Sequence, residues 1–127
     1  MKILFLFWFV LAMGCNPSGS SKDNVDKRFV KGILKAGDFE VIDLRTQQEV
    51  EDTGVIPGAK VKDYYEGDFK RFVENLDSEK KYVIYCKSGG RSAKAYKVMV
   101  ESGLHVKNYS GGMDEWLESG FERQRRE

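Results

Sequence analysis

"KKYVIYCKSGGRSAKAYKVMVESG", residues 80–103, is the stretch on which the fold turns. Residues 80–86 form a short apolar run rich in aromatic and β-branched side chains, which predicts a buried strand. From Arg91 onward, Ala95, Val98 and Met99 recur at helical spacing and Gly103 follows as a stop, which predicts a helix over about 91–102. Between them lie Cys86, Lys87, Ser88, Gly89 and Gly90. A strand that passes through a glycine-rich loop into a helix is the repeating step of a parallel α/β sheet.

The same alternation continues on both sides. Upstream, Val25, Phe29, Ile33 and Leu34 predict a helix over about 25–36, closed by Gly37. "FEVIDLR", residues 39–45, is a second buried strand. Pro57-Gly58 marks a turn before a short strand at 60–62. Phe69, Phe72, Val73 and Leu76 in "EGDFKRFVENL" predict a helix. Downstream, "HVKNYS", residues 105–110, is a last strand, and "GMDEWLESG", residues 112–120, a last helix carrying Trp116 and Leu117. The predicted class is α/β, an open and mostly parallel sheet of about five strands with helices on both faces.

Composition is that of an ordinary globular chain. The 127 residues suffice for one domain, 32% are charged, and the net charge of +1 gives no bulk attraction to nucleic acid. The N-terminal part is different. Met1 and Lys2 precede an unbroken apolar run, "ILFLFWFVLAM", residues 3–13. A spanning helix needs roughly 20 such residues, so the run has the length of a signal-peptide core. "LAMGC", residues 11–15, resembles a bacterial lipobox, with Gly14 at the cleavage site and Cys15 as the lipidation site; Ala12 stands where leucine is commonest. Residues 16–24, "NPSGSSKDN", are small and polar and are expected to act as a tether of at most ~30 Å. The expected organisation is a signal peptide over 1–14, a lipidated Cys15 with its tether over 15–24, and a folded domain over 25–127. It implies a protein held by a lipid anchor on the bacterial cell envelope, outside the cytoplasm, on the periplasmic or cell-surface face.

With Cys15 committed to a lipid, Cys86 is the free thiol of the folded domain. In open α/β sheets ligands sit beyond the carboxyl ends of the strands, which is where Cys86 falls. A strand-end cysteine is often a small buried hydrophobe, but a packing role does not call for the loop that follows. Lys87 and Arg91 supply positive charge, and Gly89 and Gly90 let backbone N–H groups converge. The next helix points its N-terminus at the loop. These features favour a thiolate, the reactive form of cysteine.

Four segments together resemble the rhodanese (sulfurtransferase) domain in its single-domain form, over nearly all of 25–122. "VIDLRTQQEV" is similar to the family's Asp-x-Arg strand end and acidic segment. "GVIPGAKVKD" is similar to its Gly-His-Ile-Pro-Gly-Ala turn, with Val55 in place of the histidine. "YCKSGGRSAKAY" resembles the active-site loop and helix, and "VKNYSGGMDEWLESG" the closing strand, Gly-Gly turn and tryptophan helix. The resemblance implies a persulfide mechanism on catalytic Cys86. The donor would be thiosulfate or a persulfide, and the acceptor a thiol or cyanide. Lys87, Ser88, Gly89, Gly90, Arg91 and Ser92 would form the substrate-binding loop, and Asp43 and Arg45 would brace the site. No metal or cofactor, no nucleic acid and a monomer are implied.

Three rival functions fit the residues less well. Phosphatases on the same fold separate cysteine and arginine by five residues, whereas four lie between Cys86 and Arg91 here. A non-enzymatic module that binds or senses sulfur species is the main alternative, but rhodanese-like domains without activity usually lack the cysteine that this chain keeps. Thiol redox exchange lacks a resolving cysteine. His105, the single histidine, is expected at the surface or in the core on an edge-like strand, Trp116 in the core, and the final "ERQRRE" as a solvated tail.

Overall fold

The computed structural model describes residues 23–126. The leader, Cys15 and most of the expected tether lie outside the described residues. Five strands form one sheet in the order β1-β5-β4-β2-β3: β1 (Asn24–Val25), β2 (Glu40–Asp43), β3 (Lys60–Val61), β4 (Lys81–Tyr85) and β5 (His105–Tyr109). Every pairing is parallel. The helices are α1 (Lys27–Ala36), α2 (Gln47–Thr53), α3 (Phe69–Glu74), α4 (Gly90–Glu101) and α5 (Gly112–Glu118). No helix among the described residues is long and apolar enough to cross a membrane.

Strand periodicity assigns the two faces. In β4 and the residue after it, Val83 and Tyr85 point to one side with Val30 and Ile33 of α1, Val50 of α2, and Met113 and Trp116 of α5. Tyr82, Ile84 and Cys86 point to the other, with Phe69 and Val73 of α3 and Ala95 and Met99 of α4. Alternation along a strand is what separates the two cores.

Four sequence expectations need correction. The first helix starts at Lys27, capped by the Asp26 side chain, because Asn24 and Val25 pair with Asn108 and Tyr109 as a short strand. The end of the expected tether therefore belongs to the sheet, and Asp23 is bound there by Tyr96 and Lys107. β1 also covers β5, so the strand bearing His105 is not an edge. Second, α2 was not anticipated. Its signal was a capping box in which Thr46 accepts from the Glu49 N–H and Glu49 accepts from the Thr46 N–H. Third, α4 begins at Gly90, one residue early. Fourth, "ERQRRE" is exposed over its described residues, as expected of a solvated tail, but it is tied to the domain. Gln124 exchanges backbone hydrogen bonds with Val55, its side chain accepts from the Gly58 N–H, and Trp116 donates to the Glu122 carbonyl. Trp116 itself is buried, as expected.

Candidate active site

Cys86 directly follows β4 and is 1% exposed as a residue, yet it forms the floor of an open cavity of about 240 Å³. Tyr65, Lys87, Ser88, Gly90, Arg91 and Lys94 line the rest. The Gly89 N–H donates to the sulfur at 3.2 Å and the Ser92 N–H at 3.5 Å. The thiol is 3.6 Å from the Ser92 hydroxyl, which also donates to the Gly89 carbonyl at 3.3 Å. That hydroxyl has one proton, so on ionisation of Cys86 it can turn from the carbonyl to the sulfur. Burial is the largest single influence on the thiol and pushes its pKa up. Hydrogen bonds from the Ser92 hydroxyl and from the Ser92, Gly89 and Ser88 backbone outweigh it, and the pKa falls below the ordinary thiol value.

Ser92→Ala is therefore expected to raise the midpoint of Cys86 alkylation against pH by up to roughly one unit, since a lost bond to a charged group disfavours the thiolate. An unchanged midpoint would remove Ser92 from the account.

The two cations expected beside the sulfur are both engaged elsewhere. Arg91 forks onto Glu49 of α2, at 2.6 and 2.9 Å. That pairing holds the Glu49 carboxyl down at about 2 and raises the pKa of the guanidinium. Lys87 pairs with Asp114 at 2.9 Å on the surface. Lys94, which lies beyond the loop motif in the sequence, is the cavity-lining cation without an ion pair among the described residues. Glu49 and Tyr65 also lie outside the loop motif. Glu49 lies on the helix that was not anticipated. Tyr65 is 67% exposed, and the Arg91 guanidinium lies 5.8 Å from its ring centre.

The glycines divide into two kinds. Gly89 has φ +100, and a Cβ there would come within 2.7 Å of the Ser110 carbonyl oxygen. Gly90 has open space around its Cβ position and is not in the left-handed region, so it is not needed for the turn. The neighbouring Gly112 lets α5 approach closely enough for the Met113 and Asp114 N–H groups to hold the Cys86 and Lys87 carbonyls, at 2.9 and 3.0 Å. Two helix N-termini thus clamp the loop, α4 at the sulfur and α5 at the backbone.

Asp43 and Arg45 lie behind the site. The Arg45 Nε and Nη2 donate to the Asp43 carboxylate at 2.8–3.2 Å, and the remaining donors reach Thr53 Oγ1 and the Gly54 carbonyl. Neither residue lines the cavity. His105 pairs with Lys81 at the opposite end of the strands from Cys86, which rules out a cysteine–histidine dyad. Among the described residues, no group of three His, Cys, Asp or Glu side chains is placed to hold a metal ion.

The chain is similar to known proteins throughout this region. "Putative sulfurtransferase YtwF" of Bacillus subtilis is 40% identical over 76 residues, covering 60% of this chain and 71% of that one. Among solved structures, SSP1007 of Staphylococcus saprophyticus superposes with a TM-score of 0.68 at 30% identity, over 79% of this chain and 98% of that one. The human single-domain sulfurtransferase TSTD1 shares the fold, with a TM-score of 0.64 at 21% identity, over 76% of this chain and 96% of that one. The model of the rhodanese-like domain matches residues 26–119, which hold strands β2 to β5, the cysteine loop and its clamping helices, and the chain belongs to that family.

Proposed function

We propose that this protein is a sulfurtransferase that carries sulfur as a persulfide on Cys86. The observation that supports it best is the sulfur at the floor of an open cavity, ringed by the Gly89 and Ser92 N–H groups and the Ser92 hydroxyl. Such a ring suits a small anion on the cysteine. The Cys86 thiolate attacks the outer sulfur of thiosulfate or another sulfane donor. The new S–S bond forms as the donor's own S–S bond breaks, and sulfite leaves with the bonding pair. A thiolate or cyanide then attacks the outer sulfur of the persulfide and returns Cys86 as thiolate. The loop N–H groups stabilise the charge in both half-reactions, as an oxyanion hole does. Lys94, and Lys87 once it leaves its surface ion pair, attract the anionic end of the donor. Arg91 is held by Glu49, so its contribution is to shape the wall. That occupied fork also weighs against a phosphatase, whose arginine must be free to grip a phosphate.

The lipobox-like segment ending at Cys15 supports a lipid-anchored protein of the bacterial cell envelope, facing away from the cytoplasm.

The test is intact mass before and after thiosulfate, with Cys86→Ser beside the parent protein. A gain of one sulfur, about 32 Da, reversed by cyanide and absent in the variant, is the expected result. No gain with thiosulfate or any other sulfane donor, in folded protein with a free thiol, would overturn the enzyme reading in favour of a binding or sensing module.

A further inference from the structure

The cationic face of α1 is not used by the site above. Four of the chain's 21 basic residues, Lys27, Arg28, Lys31 and Lys35, lie on this ten-residue helix, and none of its 20 acidic ones does. At 3.6 residues per turn the four positions fall within roughly 100° of arc, opposite the stripe of Phe29, Val30 and Ile33 that faces the core. Among the described residues none of the four forms an ion pair. Lys27 donates to the Ser119 hydroxyl and Lys31 sits 4.2 Å from the Phe121 ring centre. Isolated surface lysines are ordinarily solvated, but this cluster has a second feature. It begins four residues after Asp23, where the described chain starts. Only residues 16–22 separate Asp23 from Cys15, the proposed lipidation site, a span of at most ~30 Å.

We propose that the α1 face docks on the surface of an anionic phospholipid bilayer, fixing the orientation of the domain on its membrane. This rests on the envelope-anchored reading above. A short anchor raises the effective concentration of the bilayer at α1, and a basic cluster beside it gains from anionic headgroups within a Debye length. The orientation suits the site. α1 packs on the face of the sheet opposite the one that carries Cys86, α3 and α4. Docked through α1, the domain presents the Cys86 cavity to the aqueous side.

The experiment uses the full chain reconstituted on vesicles of phosphatidylcholine alone or mixed with phosphatidylglycerol. A membrane-impermeant amine reagent is applied and labelled lysines are located by peptide mass spectrometry. Labelling of Lys31 and Lys35 is expected to slow roughly five- to tenfold on the anionic vesicles, with Lys94 unchanged. Salt at about 1 M, where the Debye length falls to about 3 Å, should abolish the difference. Equal rates on both vesicle types, with the protein bound to both, would overturn the docking and leave the anchor standing. If the chain fails to bind neutral vesicles, the anchor reading fails. Docking is then judged on anionic vesicles alone: binding lost in Lys31→Glu/Lys35→Glu supports it, and binding unaffected by that pair, or absent from the parent protein, overturns it. A cooperative thermal unfolding transition like that of the parent protein shows that the double variant is folded.

Discussion

Arg45→Ala is expected to lower the unfolding free energy by about 3–5 kcal/mol, measured by urea denaturation. Arg45 is 2% exposed and Asp43 fully buried. Burial works against the guanidinium charge, and the bonds to Asp43 more than offset it. A buried ion pair contributes little net stability compared with apolar packing, but removing one member leaves the other charged and unpartnered. The loss extends further here, because the same guanidinium holds Thr53 and the Gly54 carbonyl at the end of α2. α2 in turn carries Glu49, which positions Arg91. Arg45→Lys should recover only part of the loss, since an ammonium cannot reproduce a planar fork. A cost under about 1 kcal/mol would mean that Asp43 regains water when the arginine is removed.

The second large effect is expected at Gly112. Its φ of +66 lies in the left-handed region, and a Cβ would come within 2.6 Å of the Cys86 carbonyl oxygen and closer still to that of Lys87. The backbone conformation alone costs a side chain about 1–2 kcal/mol. Overpacking against main chain that cannot yield adds about 1–3 kcal/mol. Gly112→Ala should therefore destabilise the protein by about 2–5 kcal/mol. It should also slow Cys86 alkylation, because relieving the clash pulls the loop carbonyls off the α5 N-terminus. Gly90→Ala is the internal comparison. With open space at its Cβ position and helical backbone, it should stay within about 0.5 kcal/mol of the parent protein. Thermal unfolding of the two variants side by side checks the contrast, and equal losses would refute the assignment of roles to the two glycines.

The elements with strong local signals were legible in the chain. β2 and β4 are unbroken apolar runs, α1 and α4 have apolar residues at helical spacing, and the turn at Pro57-Gly58 has its own chemistry. Cys86 stood out because its neighbours in sequence, 87–92, are also its neighbours in space. What failed was local and weak. β1 is two residues long and exists only through its pairing with β5. α2 is polar and seven residues long, with a capping box as its main signal. The C-terminal segment reads as charged and solvated, and its docking depends on the Gly54 and Val55 backbone almost seventy positions earlier.

The parallel α/β class, the position of the thiol at a strand end and the glycine-rich loop after it are legible in the chain, because period, turn residues and composition are properties of adjacent positions. Which charges the thiol meets depends on contacts between distant segments. Arg91 and Lys87 sit beside Cys86 in the chain, yet Glu49 and Asp114, distant in sequence, claim them. The sulfur is left to backbone N–H groups and one hydroxyl. Charge interacts through space, and the partner that takes a cation is set by how the sheet brings α2, α4 and α5 to the same end of β4.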